Sequence, residues 1–187
     1  MKYFKKLVGD RIYLSPRNSE DVKKYTEWLN DFQVTDYTGR SGQLVTLESE
    51  KKYLEENVND QGVFAIVEKD TDKLIGTVGL HEINHIHRKA TLGIFIGEQE
   101  YLSKGYGTEA IRLILDYGFN YLNLNNINLD LMEFNERAYA CYKKCGFKEY
   151  GRRRKCEFIN GKYYDVISMD ILSEEFNGEF IRNKNIK

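Results

Sequence analysis

The sequence predicts an α+β domain, a mixed and mainly antiparallel sheet flanked by helices. Three observations predict it. Three strand-like runs follow one another between Val63 and Gly97 with no helical pattern between them, which reads as an antiparallel meander. Helical periodicities at Thr108–Leu122 and Glu136–Lys144 then bracket a strand-like run at Asn126–Phe134. A strand–helix–strand unit after a meander calls for a crossover, and so for a sheet of mixed direction with helices on its faces.

The elements follow in the order β-α-α-β-β-β-α-β-α-β-β. Arg11–Arg17 alternates well enough for a first strand, and Ser19 is placed to cap a helix with apolar positions at Val22, Tyr25, Trp28 and Leu29. Asp36–Gln43 reads as a loop. Thr46, with Ser49 and Glu50, starts a second helix ending near Asn57. The meander strands are Val63–Lys69, Lys73–Ile83 and Lys89–Gly97, joined by KDTDK and NHIHR turns. Gly146 closes the Glu136–Lys144 helix. Asn160-Gly161 is the strongest hairpin signal in the chain and joins the last two strands. Residues 1–172 are read as a single domain. Residues 173–187 lose periodicity and are expected to fray.

Composition limits the function classes. The chain has 187 residues, enough for one domain with a real core. A net charge of −1 provides no global basic field for nucleic acid. No apolar run approaches the ~20 residues of a membrane span. The opening MKYFKKLVGDRIYL lacks the apolar core of a signal peptide. Three cysteines, Cys141, Cys145 and Cys156, form an odd and sparse set that reads as reduced thiols in a cytoplasmic protein.

The stretch YLSKGYGTEAIRLIL, Tyr101 to Leu115, places two glycines where a helix must start. A strand that ends in such a loop presents unpaired N–H groups beside the positive end of a helix dipole, which suits a phosphate or pyrophosphate. Lys104, Gly105, Tyr106, Gly107 and Thr108 would supply the donors. The spacing fits neither a Walker loop nor the dinucleotide G-x-G-x-x-G, because position 110 is Ala. A tight connection is the plainer alternative.

Taken together, two motifs resemble the GCN5-related N-acetyltransferases. YLSKGYGTEA is similar to that family's acyl-CoA pyrophosphate loop. NERAYACYKKCGF, Asn135 to Phe147, is similar to its second signature, in which an asparagine precedes a helix bearing a tyrosine and closed by Gly-Phe. The element order matches the family's fold. Leu102 stands where the family usually has Arg or Gln, a position at which the backbone N–H is what counts. EINHIHRKA, DYGFNYLNLNNI and FINGKYYDV further resemble the ribosomal-protein and small-amine branch, and bacterial spermidine N-acetyltransferases in particular.

The resemblance implies acetyl transfer from acetyl-CoA to a primary amine, without a metal. An ammonium acceptor must lose a proton before attack, and Glu82 is the candidate base, directly or through water. The resemblance puts an oxyanion donor on a strand amide near Phe95 or Ile96. It makes Tyr142 the acid that protonates the leaving thiolate and Asn135 a partner of the pantetheine arm. Plainer readings stand beside these: Glu82 as a solvated strand-end carboxylate, and Tyr142 as a core aromatic one turn from Tyr139. His81, His85 and His87 fall within one short stretch, but a turn there reads as surface rather than as a zinc site. Cys141 and Cys145 share a helix face and read as small buried side chains. Arg152–Lys155 reads as a solvated basic run, with the CoA 3′-phosphate as an alternative partner.

A polyamine is the first choice of acceptor, with Glu82, Asp31, Asp36, Glu48 and Glu50 as the carboxylates available to hold its ammonium groups. Arg40 in the intervening loop runs against that choice. A protein N-terminal amine or a lysine is the alternative acceptor. A non-catalytic acetyl-CoA-binding module and a nucleic-acid-binding domain are the alternatives of other classes. A homo-oligomer is compatible with the sequence.

Overall fold

The computed structural model describes residues 2–57 and 62–184. Its strands are β1 (Leu7–Val8), β2 (Ile12–Pro16), β3 (Val63–Glu68), β4 (Leu74–Asn84), β5 (Lys89–Ile96), β6 (Asn126–Met132), β7 (Lys148–Ile159) and β8 (Lys162–Leu172). Its helices are α1 (Val22–Leu29), α2 (Phe32–Thr35), α3 (Leu47–Glu56), α4 (Tyr106–Asn120) and α5 (Glu136–Lys144). The eight strands form one sheet in the order β1-β2-β3-β4-β5-β6-β8-β7. Every described pairing is antiparallel except that of β5 with β6.

Both faces of this sheet are covered, and the strand period shows why. In β2, Ile12 and Leu14 point to one face and Tyr13 to the other; in β3, Phe64 and Ile66 oppose Ala65 and Val67. The first set joins Ile111, Leu115, Leu129 and Met169 in a core under α4 and α5. The second joins Tyr25, Trp28 and Leu54 under α1 and α3. Eight of the fifteen α4 residues are buried, so this helix sits across the sheet as the main buttress of the site described below. Truncating one of its leucines, such as Leu113, removes roughly 2–5 kcal/mol.

Local signals work as expected at several ends. Thr46 accepts from the Ser49 amide and Ser49 returns the bond, a complete capping box. Asn160 and Gly161 take φ of 47° and 78°, the two left-handed positions of a type I′ hairpin turn.

Other features differ from the sequence reading. Asn18, not Ser19, caps the first helical segment by accepting from the Glu20 amide, because Ser19 already lies inside a 3₁₀ turn, Ser19–Asp21. The third long helix starts at Tyr106, two residues early, with Gly105 as its cap. Residues 176–184 of the tail lie against α4. Asp116, fully buried on α4, accepts from the Phe180 and Ile181 amides (2.6 and 3.0 Å), from Asn120 and from the Lys184 ammonium (2.9 Å). Phe176, Phe180 and Ile181 then pack onto the α4 core. Arg152 and Arg153 of the basic run are engaged within the protein, with Glu133, Asp165 and Asp130.

Candidate active site

The site originates in a failure of strand pairing. β5 and β6 are hydrogen-bonded only where Lys89–Thr91 runs beside Asn126–Asn128; beyond that the two parallel strands part. On its other edge β5 stays paired with β4 as far as Ile96. The opening leads into a cavity of about 650 Å³ between β4, β5, α1, α3, α4 and α5.

Strand alternation decides which amides face this opening. Gly97 donates to the Ile75 carbonyl at 2.9 Å, and the Phe95 amide, two residues back, points the same way, toward Thr77 of β4. The Arg88 carbonyl accepts from Asn125 and Asn126 at the foot of β6. Even-numbered residues of β5 therefore turn their backbone toward β6, and past Thr91 that partner has moved away. The amides of Ile94 and Ile96 face the gap. Ile94 and Ile96 both line the cavity. The Phe95 amide belongs to the sheet, and its ring, also on the cavity wall, packs edge-on against Trp28 at 5.9 Å.

The glycine loop forms the second wall. Gly105 caps α4 with φ +86° and no capping side chain, a left-handed conformation that costs any residue with a Cβ about 1–2 kcal/mol. The first described bond within α4 runs from Glu109 to the Gly105 carbonyl, so the amides of Tyr106, Gly107 and Thr108 have no acceptor inside the helix. A Cβ built on Gly107 would come no closer than 4.0 Å to its neighbour, Ile94 Cδ1, so the approach to these amides is open. Gly105, Gly107 and Thr108 line the cavity, whereas Lys104 and Tyr106 do not. The Lys104 carbonyl accepts from Arg11 Nη1, and the Tyr106 ring lies against Tyr101 and under the Arg11 guanidinium. Leu102 also lines the cavity, but its amide donates to the Gln99 carbonyl at 3.1 Å to close a 3₁₀ turn; the expected free donor there is spent.

One pair that sets this geometry was missed in the sequence. Glu109 in the first turn of α4 accepts from the Arg11 amide (2.8 Å) and Nε (3.1 Å), which ties the loop to the start of β2. The two residues lie far apart in the chain, and no local pattern marks either one.

Asn135 and Tyr142 are placed by α5. Asn135 is buried on the cavity wall and caps the helix by accepting from the Ala138 amide, which leaves its Nδ2 as the group turned to other use. Tyr142 lies on the same wall, edge-on to Phe147; burial and then the neighbouring thiols push its phenol up, so it holds its proton at any working pH. A side chain in that state can donate a proton and does not serve as a base.

Glu82 occupies a register break in β4, with φ +52°. The irregularity turns this exposed carboxylate to the mouth of the gap, 3.5 Å from Thr91 Oγ1. Glu82, Thr91 and Asp130 line both the main cavity and a second recess. The main cavity takes residues of α1 and α3 from one face of the sheet and of α4 and α5 from the other, so two reactants can meet here from opposite faces. Asp130, not singled out in the sequence, is held by Arg153 and Ser168 at 2.6 Å each.

Of the other carboxylates considered, Asp31 caps α2, Asp36 accepts from Ser41, and Glu48 is solvent-exposed. Glu50 alone among these four lines the cavity; burial raises its carboxyl, opposed by Arg17 and Arg40. His81 sits on the cavity wall, and His85 and His87 are exposed on the β4–β5 turn. Among the described residues, no three His, Cys, Asp or Glu side chains group to hold a metal.

A meander, a parted parallel pair and an uncapped helix start at the gap form a surface for a long thioester with a pyrophosphate. A family profile described as acetyltransferase (GNAT) domain matches residues 11–148. The chain belongs to the GNAT acetyltransferase family. It is an acetyl-CoA-dependent N-acetyltransferase. The acetyltransferase is 33% identical over 168 residues to the spermidine N(1)-acetyltransferase of Escherichia coli (strain K12), covering 90% of this chain and 89% of that one. The crystal structure of spermidine N-acetyltransferase from Vibrio cholerae in complex with CoA and spermine superposes with a TM-score of 0.81 at 30% identity, covering 88% and 97% of the two chains. A dodecameric structure of the same Vibrio cholerae enzyme gives 0.75 at 30% identity, covering 88% and 95%.

Proposed function

We propose that this enzyme acetylates a primary amine of a small polyamine. The observation that carries the reading is the placement of Glu82 at the mouth of a gap open to both faces of the sheet, where an amine from one side can meet a thioester from the other. The two spermidine acetyltransferases it resembles over nearly their full length support the same acceptor class.

The geometry supports the following roles. The amides of Gly107 and Thr108 hold the cofactor's pyrophosphate, and the Asn135 amide group steadies its pantetheine arm. Bound acetyl-CoA supplies an activated acetyl carbonyl. Glu82 takes the proton of the acceptor ammonium, directly or through a water. The Ile94 and Ile96 amides, turned into the gap, donate to the oxygen on which charge develops. Tyr142 returns a proton to the departing sulfur. Asp130 and Glu50 offer further negative charge to a polycation, though both are already balanced by arginines.

That balance favours a second acceptor, a peptide α-amine, whose single cation needs only one carboxylate. The test is the ratio of kcat/KM for spermidine to that for a peptide with a free N-terminus. A ratio well below one removes the polyamine and leaves the peptide. We further place the enzyme in the cytoplasm and read it as a homo-oligomer. Light scattering on the purified protein tests the assembly, and a monomeric mass refutes it.

A further inference from the structure

The cavity wall formed by α1 and α3 holds two polar groups that still need partners. Tyr25 of α1 lines the cavity at 2% exposure. Among the described residues, its hydroxyl is the one fully buried side-chain oxygen or nitrogen without a hydrogen-bond partner. Such a group carries its full desolvation cost until something bonds to it. Burial first, then charges that include Asp21 and Glu50, push the phenol up, so it stays protonated and neutral. Glu50 of α3 lines the same cavity at 6% exposure. Arg17 and Arg40 offset its charge through space, but among the described residues no hydrogen bond or ion pair reaches its carboxylate. Arg17 lies over the Tyr53 ring at 5.2 Å, and Arg40 is exposed, where solvent screens it. What the wall lacks is a donor in contact. An alkylammonium brings three N–H donors and a compact charge, enough for both the carboxylate and the phenol oxygen. A carboxylate or phosphate meets Glu50 with like charge, and an alkyl chain leaves both groups unpaired.

We propose that Tyr25 and Glu50 form a subsite for a second ammonium of the acceptor, one that the reaction leaves unacetylated, and that they select diamines over monoamines. The inference rests on the reading that the acceptor is a polyamine, entering from the α1 and α3 face. That face lies across the sheet from α4 and α5, which carry the pyrophosphate seat. Glu82 then serves the reacting nitrogen at the gap, and Glu50 with Tyr25 serves the distant one. Because the arginines already offset Glu50 from afar, selection comes from direct contact rather than from a negative field over the whole site.

The experiment measures kcat/KM of the full chain, at saturating acetyl-CoA, for two matched pairs of acceptors. One pair is pentane-1,5-diamine and pentylamine. The other is a short peptide with a free N-terminus and lysine in second place, and the same peptide with norleucine there. The diamine should be preferred to the monoamine by roughly ten- to a hundredfold, the range of a hydrogen bond to a charged group. Glu50→Gln should bring that preference to within about threefold of one, with the loss in KM rather than kcat. Tyr25→Phe should cut it roughly three- to tenfold, yet melt no lower than the parent without ligand, because the hydroxyl it removes had no partner. Equal turnover of diamine and monoamine by the parent overturns the subsite. So does a Tyr25→Phe variant that folds and keeps the full preference, which leaves the hydroxyl a packing group only. Turnover of the peptides but of no small amine removes the polyamine reading by itself. The lysine and norleucine peptides then decide the subsite: a preference for lysine that Tyr25→Phe weakens upholds it, and no preference overturns it.

Discussion

Replacing Gly107 by valine separates binding from folding at the cofactor loop. Gly107 lies in the first turn of α4, outside the left-handed region, and a Cβ there meets Ile94 Cδ1 only at 4.0 Å. Glycine and valine differ in helix propensity by less than ~0.5 kcal/mol, so the ligand-free protein should melt within about 2 °C of the parent. Binding should respond very differently. The isopropyl group stands in front of the Gly107 and Thr108 amides, and a hydrogen bond to a charged acceptor contributes about 1.5–3 kcal/mol. Losing both gives roughly 3–6 kcal/mol, or on the order of 10²- to 10⁴-fold in Kd. Calorimetric titration with acetyl-CoA, beside a ligand-free melt, measures both quantities. Gly105→Ala is the control: its φ of +86° makes it lose about 1–2 kcal/mol of stability through strain. Gly107→Val binding within threefold of wild type would refute the pyrophosphate assignment. A collapse of its melting temperature would show that the glycine serves packing instead.

Tyr142→Phe should lower kcat with little change in acetyl-CoA affinity, because only a proton donor is removed; unchanged kcat in single-turnover kinetics means another group protonates the sulfur. Glu82→Gln should reduce kcat/KM most near neutral pH, with the deficit narrowing as pH rises and the acceptor loses its proton unaided; a pH-independent deficit points to binding rather than base chemistry. Asp116 has its carboxyl held low, against burial, by Asn120, Lys184 and the Ile181 and Phe180 amides. A depressed folded value means stability that is full above the ordinary carboxylate value of ~4 and is lost as pH falls through the folded one. Asp116→Asn should therefore lower the urea midpoint at pH 7 and by progressively less toward pH 3, with residues 173–184 becoming protease-sensitive; equal loss at both pH values refutes the role of the charge. Spermidine turnover should weaken with added salt, since its recognition is charge-based; a flat salt profile argues for an apolar acceptor contact.

Much of this architecture was legible because its causes are local. The Thr46–Ser49 capping box, the Asn160-Gly161 turn and the two-residue period of β2 and β3 each act within a few residues, so the chain states them directly. The two motifs that point to acetyl-CoA are local as well, since an uncapped helix start and a helix-capping asparagine are short-range devices.

What only the tertiary structure decided depends on partners distant in sequence. The gap between β5 and β6 exists because pairing stops after Thr91 and Asn128, and strand periodicity does not record where pairing stops. That stop hands the opening to the amides of Ile94 and Ile96 and withholds that of Phe95. Arg11 reaches Glu109 across 98 residues, and Asp116 captures the Phe180 amide 64 residues away, turning an aperiodic tail into part of the core. Hydrogen-bond donors and buried charges find such partners only when the chain has folded, because a carboxylate's preference for a donor has no period along the sequence.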